Sequence, residues 1–192
     1  MEAVRQLLAE GRFHESSVEQ VAERAGISRA TLYQHFRSRI ELVDAMCETF
    51  DASPALLAVR DAVMLDDAHA ALDETLANTI AFWSSEDPIL EQLYGVAAID
   101  QAARDLVDRQ RRDRRSEMTR LARRLKQAGV LRRGVGEASA LTMLMLLSSY
   151  ESYRELREAG LSAREVTTTV RETAHRQLLG ERGSGAERSG RR

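Results

Sequence analysis

Lysine is almost missing from this chain: of its 28 cationic residues only Lys126 is not arginine, a bias that a GC-rich genome produces and that carries no chemistry of its own. Cysteine is as scarce. The single Cys47 excludes an internal disulfide, and its helical spacing from Val43 and Phe50 marks it as a small buried hydrophobe with no redox role. Two prolines and 11 glycines in 192 residues leave long stretches uninterrupted, so the chain reads as mostly helical. No apolar run approaches the roughly 20 residues that span a bilayer, and no signal peptide opens the chain, which predicts a soluble, cytoplasmic protein without a membrane partner. His14, His35, His69 and His175 are too scattered for a metal site, no glycine loop of phosphate-binding type is present, and no serine or cysteine sits in a nucleophile motif. Neither an enzyme nor a cofactor is expected.

What the chain does have is a patterned segment between Ser17 and Arg39. Val18, Val21, Ala22 and Ala25 recur at three- and four-residue steps, as one buried helical face requires, and Gly26 then breaks the pattern. Glycine reaches the left-handed conformation of a helix C-cap, Ile27 is expected to plug back into the core, and Ser28 suits the N-cap of a second helix. From Gly26 to Arg39 there is no Asp or Glu, while Arg29, Thr31, Tyr33, Gln34, His35, Arg37 and Arg39 are all present. Such a surface suits an anion. Leu32 and Phe36, four apart, can face inward and leave Arg29, Thr31 and Gln34 free for base edges, with Tyr33, His35 and Arg39 free for phosphates. The blander reading is a helical hairpin with a solvated basic edge.

The run AGISRATLYQHFRSRIEL resembles the DNA-reading signature of TetR-type transcriptional repressors, a glycine turn followed by a short recognition helix ending Leu-Tyr-X-His-Phe. Leu7, Leu8, Gly11, Phe13 and the Ser17-Val18 pair extend the likeness upstream, so the first 50 residues are covered tightly and the remainder only by its helical layout. The resemblance implies that Arg29, Ala30, Thr31 and Gln34 face the major groove behind the cap residue Ser28, and that Ser17, Tyr33, His35 and Arg39 hold the phosphate backbone. Arg39 stands where family members usually carry lysine, and a phosphate accepts either cation. Such proteins usually carry several residues, often basic, ahead of the first helix. This sequence starts at Met1 almost inside that helix, which either lowers affinity or reflects a shortened start. Residues 1–50 hold six Arg against eight acids, so attraction to DNA must come from the local patterning around residues 24–39.

Beyond residue 50 the helices lengthen. The spacing predicts helices over 39–50, from Pro54 to about Leu65, from Asp66-Asp67 to Ser84, from Asp87-Pro88 onward, from Asp100 to Gln127, and over 136–159 and 162–179. Leu42, Val43, Met46 and Phe50 give the first of these one apolar face and make it the natural lever between a DNA-reading domain at 1–50 and a helical ligand-binding and dimerisation domain at 51–180. The Gly-, Ser- and Arg-rich tail at 181–192 has nothing to bury and is expected to be disordered. Residues 51–99 carry a net charge of −8 and residues 100–133 a net of +7, the latter read as a solvated face with internal pairs such as Asp105 with Arg109 and Asp108 with Arg112.

The stretch LTMLMLLSSY at 141–150 is apolar nearly all the way round and must be covered twice, by its own domain and by a second copy of the chain. Leu141 and Met145, with the stripe Val166, Val170, Ala174 and Leu178, are the expected interface of a homodimer. An effector pocket in the larger domain, again implied by the resemblance, would draw on Phe82, Trp83, Leu93, Tyr94, Leu121, Met143, Leu147 and Tyr150, with Asn78, Gln92 and Ser148 as polar helpers. The sequence therefore predicts an all-α protein: a ligand-relieved repressor that binds a double-stranded DNA operator as a homodimer and answers to a small-molecule effector. A helical ligand-binding or interaction module of the same fold, with weak or lost DNA binding, is the alternative.

Overall fold

The computed structural model of the chain describes residues 1–13 and 16–180. His14, Glu15 and the tail at 181–192, with the disorder expected of it, lie outside the described residues. Among the described residues ten α-helices account for nearly all of the regular structure: α1 (Glu2–Ala9), α2 (Val18–Arg24), α3 (Arg29–His35), α4 (Arg39–Glu48), α5 (Pro54–Val63), α6 (Ala68–Ala97), α7 (Gln101–Gln127), α8 (Glu137–Leu147), α9 (Tyr150–Glu158) and α10 (Ala163–Leu178). A 3-10 turn at Thr49–Ala52 follows α4, and Leu131 and Leu179 form an isolated antiparallel bridge. Among the described residues no helix is long and apolar enough to cross a membrane.

Two compact units result. The first comprises Met1–Leu57 together with Ala81–Asp113. In it α1 packs on α2 and α4, and α2 on α3, around Val4, Leu7, Leu8, Phe13, Val21, Leu32, Leu42 and Met46. Met46 and Phe50 are buried as the spacing of α4 requires. Phe50 stands edge-on to Phe82 with ring centroids 5.4 Å apart, the geometry in which a positive ring edge meets a negative ring face. The Arg5 guanidinium lies 5.6 Å from the Phe50 centroid and donates to Glu86 at 2.5 Å, while Arg109 pairs with Asp44. These contacts carry the unit past residue 50 and draw in part of α6 and α7.

The second unit comprises Ala58–Ile80 and the chain from Arg114 onward. Its core holds Val63, Leu72, Leu76, Ile80, Met118, Leu121, Leu125, Leu144 and Tyr153, with α10 packed on α8 and α9. Val166, Val170, Ala174 and Leu178 are no more than 2% exposed, so this stripe belongs to the chain's own core and not to a face open to a second copy. Its four-residue step is what burial against α8 and α9 demands, and a dimer seam would have shown the same step. Leu141 and Met145 are half-buried on α8, beside Leu146, which is 58% exposed.

Three further expectations give way to packing. Pro88 does not start a helix but lies inside the 30-residue α6. A proline forfeits one main-chain hydrogen bond, and burial of Ile89, Leu90 and Leu93 on the following turns outweighs that loss. Conversely, the helix expected over 136–159 ends at Leu147 and restarts at Tyr150. There Ser149 accepts from the Ser152 N–H at 3.0 Å and donates to the Leu146 carbonyl at 2.9 Å, the local bonding by which serine competes with a helix. On α7 the expected pairs give way to others: Arg109 reaches Asp44, Asp105 accepts from Gln101 at 2.8 Å, and Asp108 lies 3.5 Å from Arg111.

Candidate nucleic-acid interface

Two serine caps set the reading head. Ser17 accepts from the Gln20 N–H at 3.3 Å while the Gln20 side chain accepts from the Ser17 N–H at 2.7 Å, a reciprocal box that fixes the start of α2. At the other end Gly26 takes φ of +67°, and the Ile27 N–H returns to the Ala22 carbonyl at 3.0 Å, closing α2 so that the chain can turn. Ile27 does not plug into the core: it is 40% exposed, and Ala25 is exposed as well. The tight turn leaves Leu32 to anchor α3 from inside. Ser28 then caps α3, accepting from the Thr31 N–H at 3.0 Å with its hydroxyl 2.8 Å from that of Thr31.

This construction puts Ser17, Ser28, Arg29, Ala30, Thr31, Tyr33, Gln34 and His35 on the surface together, at the start of α2 and along α3. Arg39 is placed differently. It is half-buried, its guanidinium donates to the Phe13 carbonyl, and its charge lies 4.9 Å above the Phe13 ring. A cation held over a ring and against a carbonyl braces the turn between α1 and α2, so this side chain departs from the phosphate-gripping role expected of it. Arg24 is likewise committed within the domain, clamped in a two-pronged pair with Glu10, both bonds 2.7 Å. The hydrogen bond from Arg24 holds the Glu10 carboxyl below its usual range, and the same bond raises Arg24.

Arg29 opens α3 and is 63% exposed along its side chain, yet it is not loose. Its Nε lies 2.8 Å from Oε1 of Glu19, and its guanidinium stands 5.3 Å from the centroid of Tyr33. Sequence reasoning missed Glu19. The two residues sit ten positions apart across a turn, outside the three- and four-residue spacings by which a helix announces its pairs. Hydrogen bonds from its own backbone N–H and from the Ser17 hydroxyl, with Arg29 adding attraction, hold the Glu19 carboxyl below the ordinary range. The surface can therefore offer a planar, oriented guanidinium, an aromatic hydroxyl, an amide and an imidazole to a groove.

The effector candidates are distributed otherwise. Phe82, Trp83, Leu93 and Tyr94 belong to the first unit, Leu121, Met143, Leu147 and Tyr150 to the second. Most are packed core: Phe82 meets Trp83 with tilted rings 5.0 Å apart, Tyr150 stacks on Tyr153 at 6.0 Å, and Leu93 and Leu121 are sealed. Tyr94, Met143 and Leu147 remain half-buried. A polar cleft of the second unit is lined by others, among them Asp73, Arg171 and His175, with His175 Nε2 2.7 Å from Asp73. Among the described residues no cluster of His, Cys, Asp and Glu could hold a metal ion.

Comparison with known proteins agrees with this geometry. Residues 1–46 match the family model of bacterial regulatory proteins, tetR family. No curated protein matches the sequence. Among solved structures the chain is similar to the TetR family transcriptional regulator PfmR from Thermus thermophilus, with a TM-score of 0.68 at 23% identity over 93% of this chain and 98% of that one. It is similar also to a bacterial regulatory protein in the tetR family from Rhodococcus, TM-score 0.70 at 18% identity over 94% and 95% of the two chains. A third likeness is to SmeT, the repressor of the Stenotrophomonas maltophilia multidrug efflux pump SmeDEF, TM-score 0.70 at 16% identity over 94% and 89%. At these identities the structures establish a shared fold across nearly the whole chain. The matching model contains the entire helix-turn-helix, so residues 1–46 form a DNA-binding N-terminal domain of the tetR type, and the chain as a whole shares the fold of these regulators.

Proposed function

We propose that the chain is a cytoplasmic, ligand-relieved repressor that binds an inverted-repeat operator as a homodimer. In this reading residues 1–50 read DNA, and residues 51–180 hold the effector and the dimer seam. The observation that carries it is the exposed, acid-free α3, capped by Ser28 and turned outward behind Leu32. Arg29, Ala30, Thr31 and Gln34 would face base edges, with Ser17, Tyr33 and His35 on phosphates. Support for a dimer comes from α8, whose apolar Leu146 is largely exposed and flanked by half-covered Leu141 and Met145. A two-fold pair would present its two α3 helices to half-sites about 34 Å apart. SmeT has been solved in complex with triclosan, which supports a small-molecule effector for this fold. Such an effector would act by favouring one spacing of the reading heads over another.

The alternative, an interaction module that has lost DNA binding, draws on the commitment of Arg24 to Glu10 and of Arg39 to Phe13. A salt series separates the two. Anisotropy of the full chain with DNA from upstream of its own gene, measured from about 50 to about 200 mM salt, is expected to show affinity falling by one to several orders of magnitude. An affinity that stays flat over that range favours the interaction module.

A further inference from the structure

Among the described residues, Glu19 is the acid whose carboxylate touches the reading helix through the residue best suited to read a base, and its contact falls on a particular atom. Oε1 lies 2.8 Å from Nε of Arg29, while the Tyr33 ring stands 5.3 Å from the guanidinium carbon. An arginine recognises guanine by directing two parallel N–H bonds at O6 and N7, and the terminal pair Nη1 and Nη2 forms such a fork. The ion pair falls on Nε and leaves that fork clear, while the pair and the Tyr33 ring together restrain where the guanidinium lies. Without a brace, an exposed arginine carries several rotatable bonds whose ordering opposes binding, and a nearby phosphate competes for its charge. A carboxylate at Nε reduces the first cost and repels the competing phosphate.

We propose that Glu19 is a specificity-determining positioning residue, which with Tyr33 holds the Arg29 guanidinium so that its Nη pair reads the guanine of one G·C base pair in each half-site. The proposal rests on the DNA-binding reading given above. Glu19 itself touches no base in this arrangement. It acts at the start of α2, where the reciprocal cap of Ser17 and Gln20 holds the backbone that carries it, so the brace is anchored on a fixed element. Removing its charge should lower discrimination while leaving sequence-independent attraction intact or stronger, because one negative charge leaves a surface that meets phosphates.

The test uses the full chain and a library of randomised duplex DNA, from which the unaltered protein, Glu19→Gln, Glu19→Ala, Arg29→Ala and the Glu19→Ala/Arg29→Ala pair each select. The unaltered protein is expected to enrich a guanine at one position of each half-site. Arg29→Ala should relax that position by about 5- to 100-fold. Both Glu19 variants should relax the same position by about 3- to 10-fold, the scale of restoring freedom to one long side chain. In the double variant the Glu19 substitution should add no further loss, since its effect passes through Arg29. Affinity for a fixed scrambled duplex should be unchanged or higher in Glu19→Gln, a readout that a misfolded domain would not give. Relaxation at a different base pair would make Glu19 a base reader and overturn the proposal, as would losses that multiply in the double variant. An unaltered protein that enriches no sequence and binds no duplex overturns the DNA-binding reading itself, an outcome visible before any variant is measured.

Discussion

Arg39 and Cys47 illustrate how a side chain's surroundings decide what its chemistry is used for. The sequence offers Arg39 as a phosphate contact, yet in the fold it lies on the Phe13 ring and carbonyl. Substitution to alanine is therefore expected to lower the unfolding free energy by about 1 to 2 kcal/mol, the combined scale of a cation–π contact and one hydrogen bond. Urea unfolding checks this, and an unchanged midpoint with weakened DNA binding would return Arg39 to the backbone role. Cys47, read from spacing as a buried hydrophobe, is 7% exposed, and burial, with Asp44 adding repulsion, pushes its thiol from 9.0 up to about 12. In the folded chain it stays protonated where an unfolded thiol ionises. Stability should accordingly be intact below about pH 9 and decline as pH rises toward 12, a slope that Cys47→Ala removes. At about pH 8, below the unfolded thiol's own ionisation, the native protein should react with a disulfide reagent only as fast as it opens, and fully in urea; rapid native labelling would contradict the burial. Burial of this kind is legible from periodicity. The acid paired with Arg29 and the ring beneath Arg39 are not, because both lie across turns, where sequence distance says nothing of spatial distance.

At the level of elements, signals made by backbone chemistry survive folding, and signals that packing can override do not. Gly26 marks the end of α2 because a left-handed residue is needed there, and the structure gives it φ of +67°. A methyl group at this position would meet nothing within 4 Å, so the cost of Gly26→Ala is conformational alone. It should destabilise the domain by about 1 kcal/mol in thermal or chemical unfolding, with Gly26→Asn milder. A neutral Gly26→Ala would mean that the turn adopts another conformation. Pro88 reads as a boundary on the same kind of reasoning, but its buried neighbours keep α6 continuous. The serine pair at 148–149 is easily passed over inside an apolar run, although the Ser149 hydroxyl bonds back to the end of α8 and caps α9. Serine within a strongly apolar stretch carries two competing messages, and composition alone does not rank them.

Taken as a whole molecule, the chain is readable as an all-helical protein with a DNA-reading head, since caps, glycine turn and inward apolar set all fall within one short segment. The stripe on α10 misleads because a four-residue apolar step looks the same whether the partner is the chain itself or its copy. With Val166, Val170, Ala174 and Leu178 internal, the seam proposed above falls to α8, where exposed Leu146 lies beside half-buried Leu141 and Met145. Under the proposed dimer, Leu146→Glu is expected to shift the particle from dimer to monomer in sedimentation velocity while circular dichroism keeps its helical signal, because a charge at an exposed position burdens only an interface. If the unaltered protein sediments as a dimer and the variant does so too, the seam lies elsewhere.

Helices α6 and α7 are each unbroken, yet residues 81–97 of the former and 101–113 of the latter belong with the N-terminal segment, while their remaining turns belong to the second unit. The head is consequently not a detachable module: cutting the gene after residue 50 would strip Phe50 of Phe82, Arg5 of Glu86 and Asp44 of Arg109 in a single stroke. Swapping this reading head onto another regulator would demand a discontinuous graft with three splices, each placed inside a helix: α5, α6 and α7.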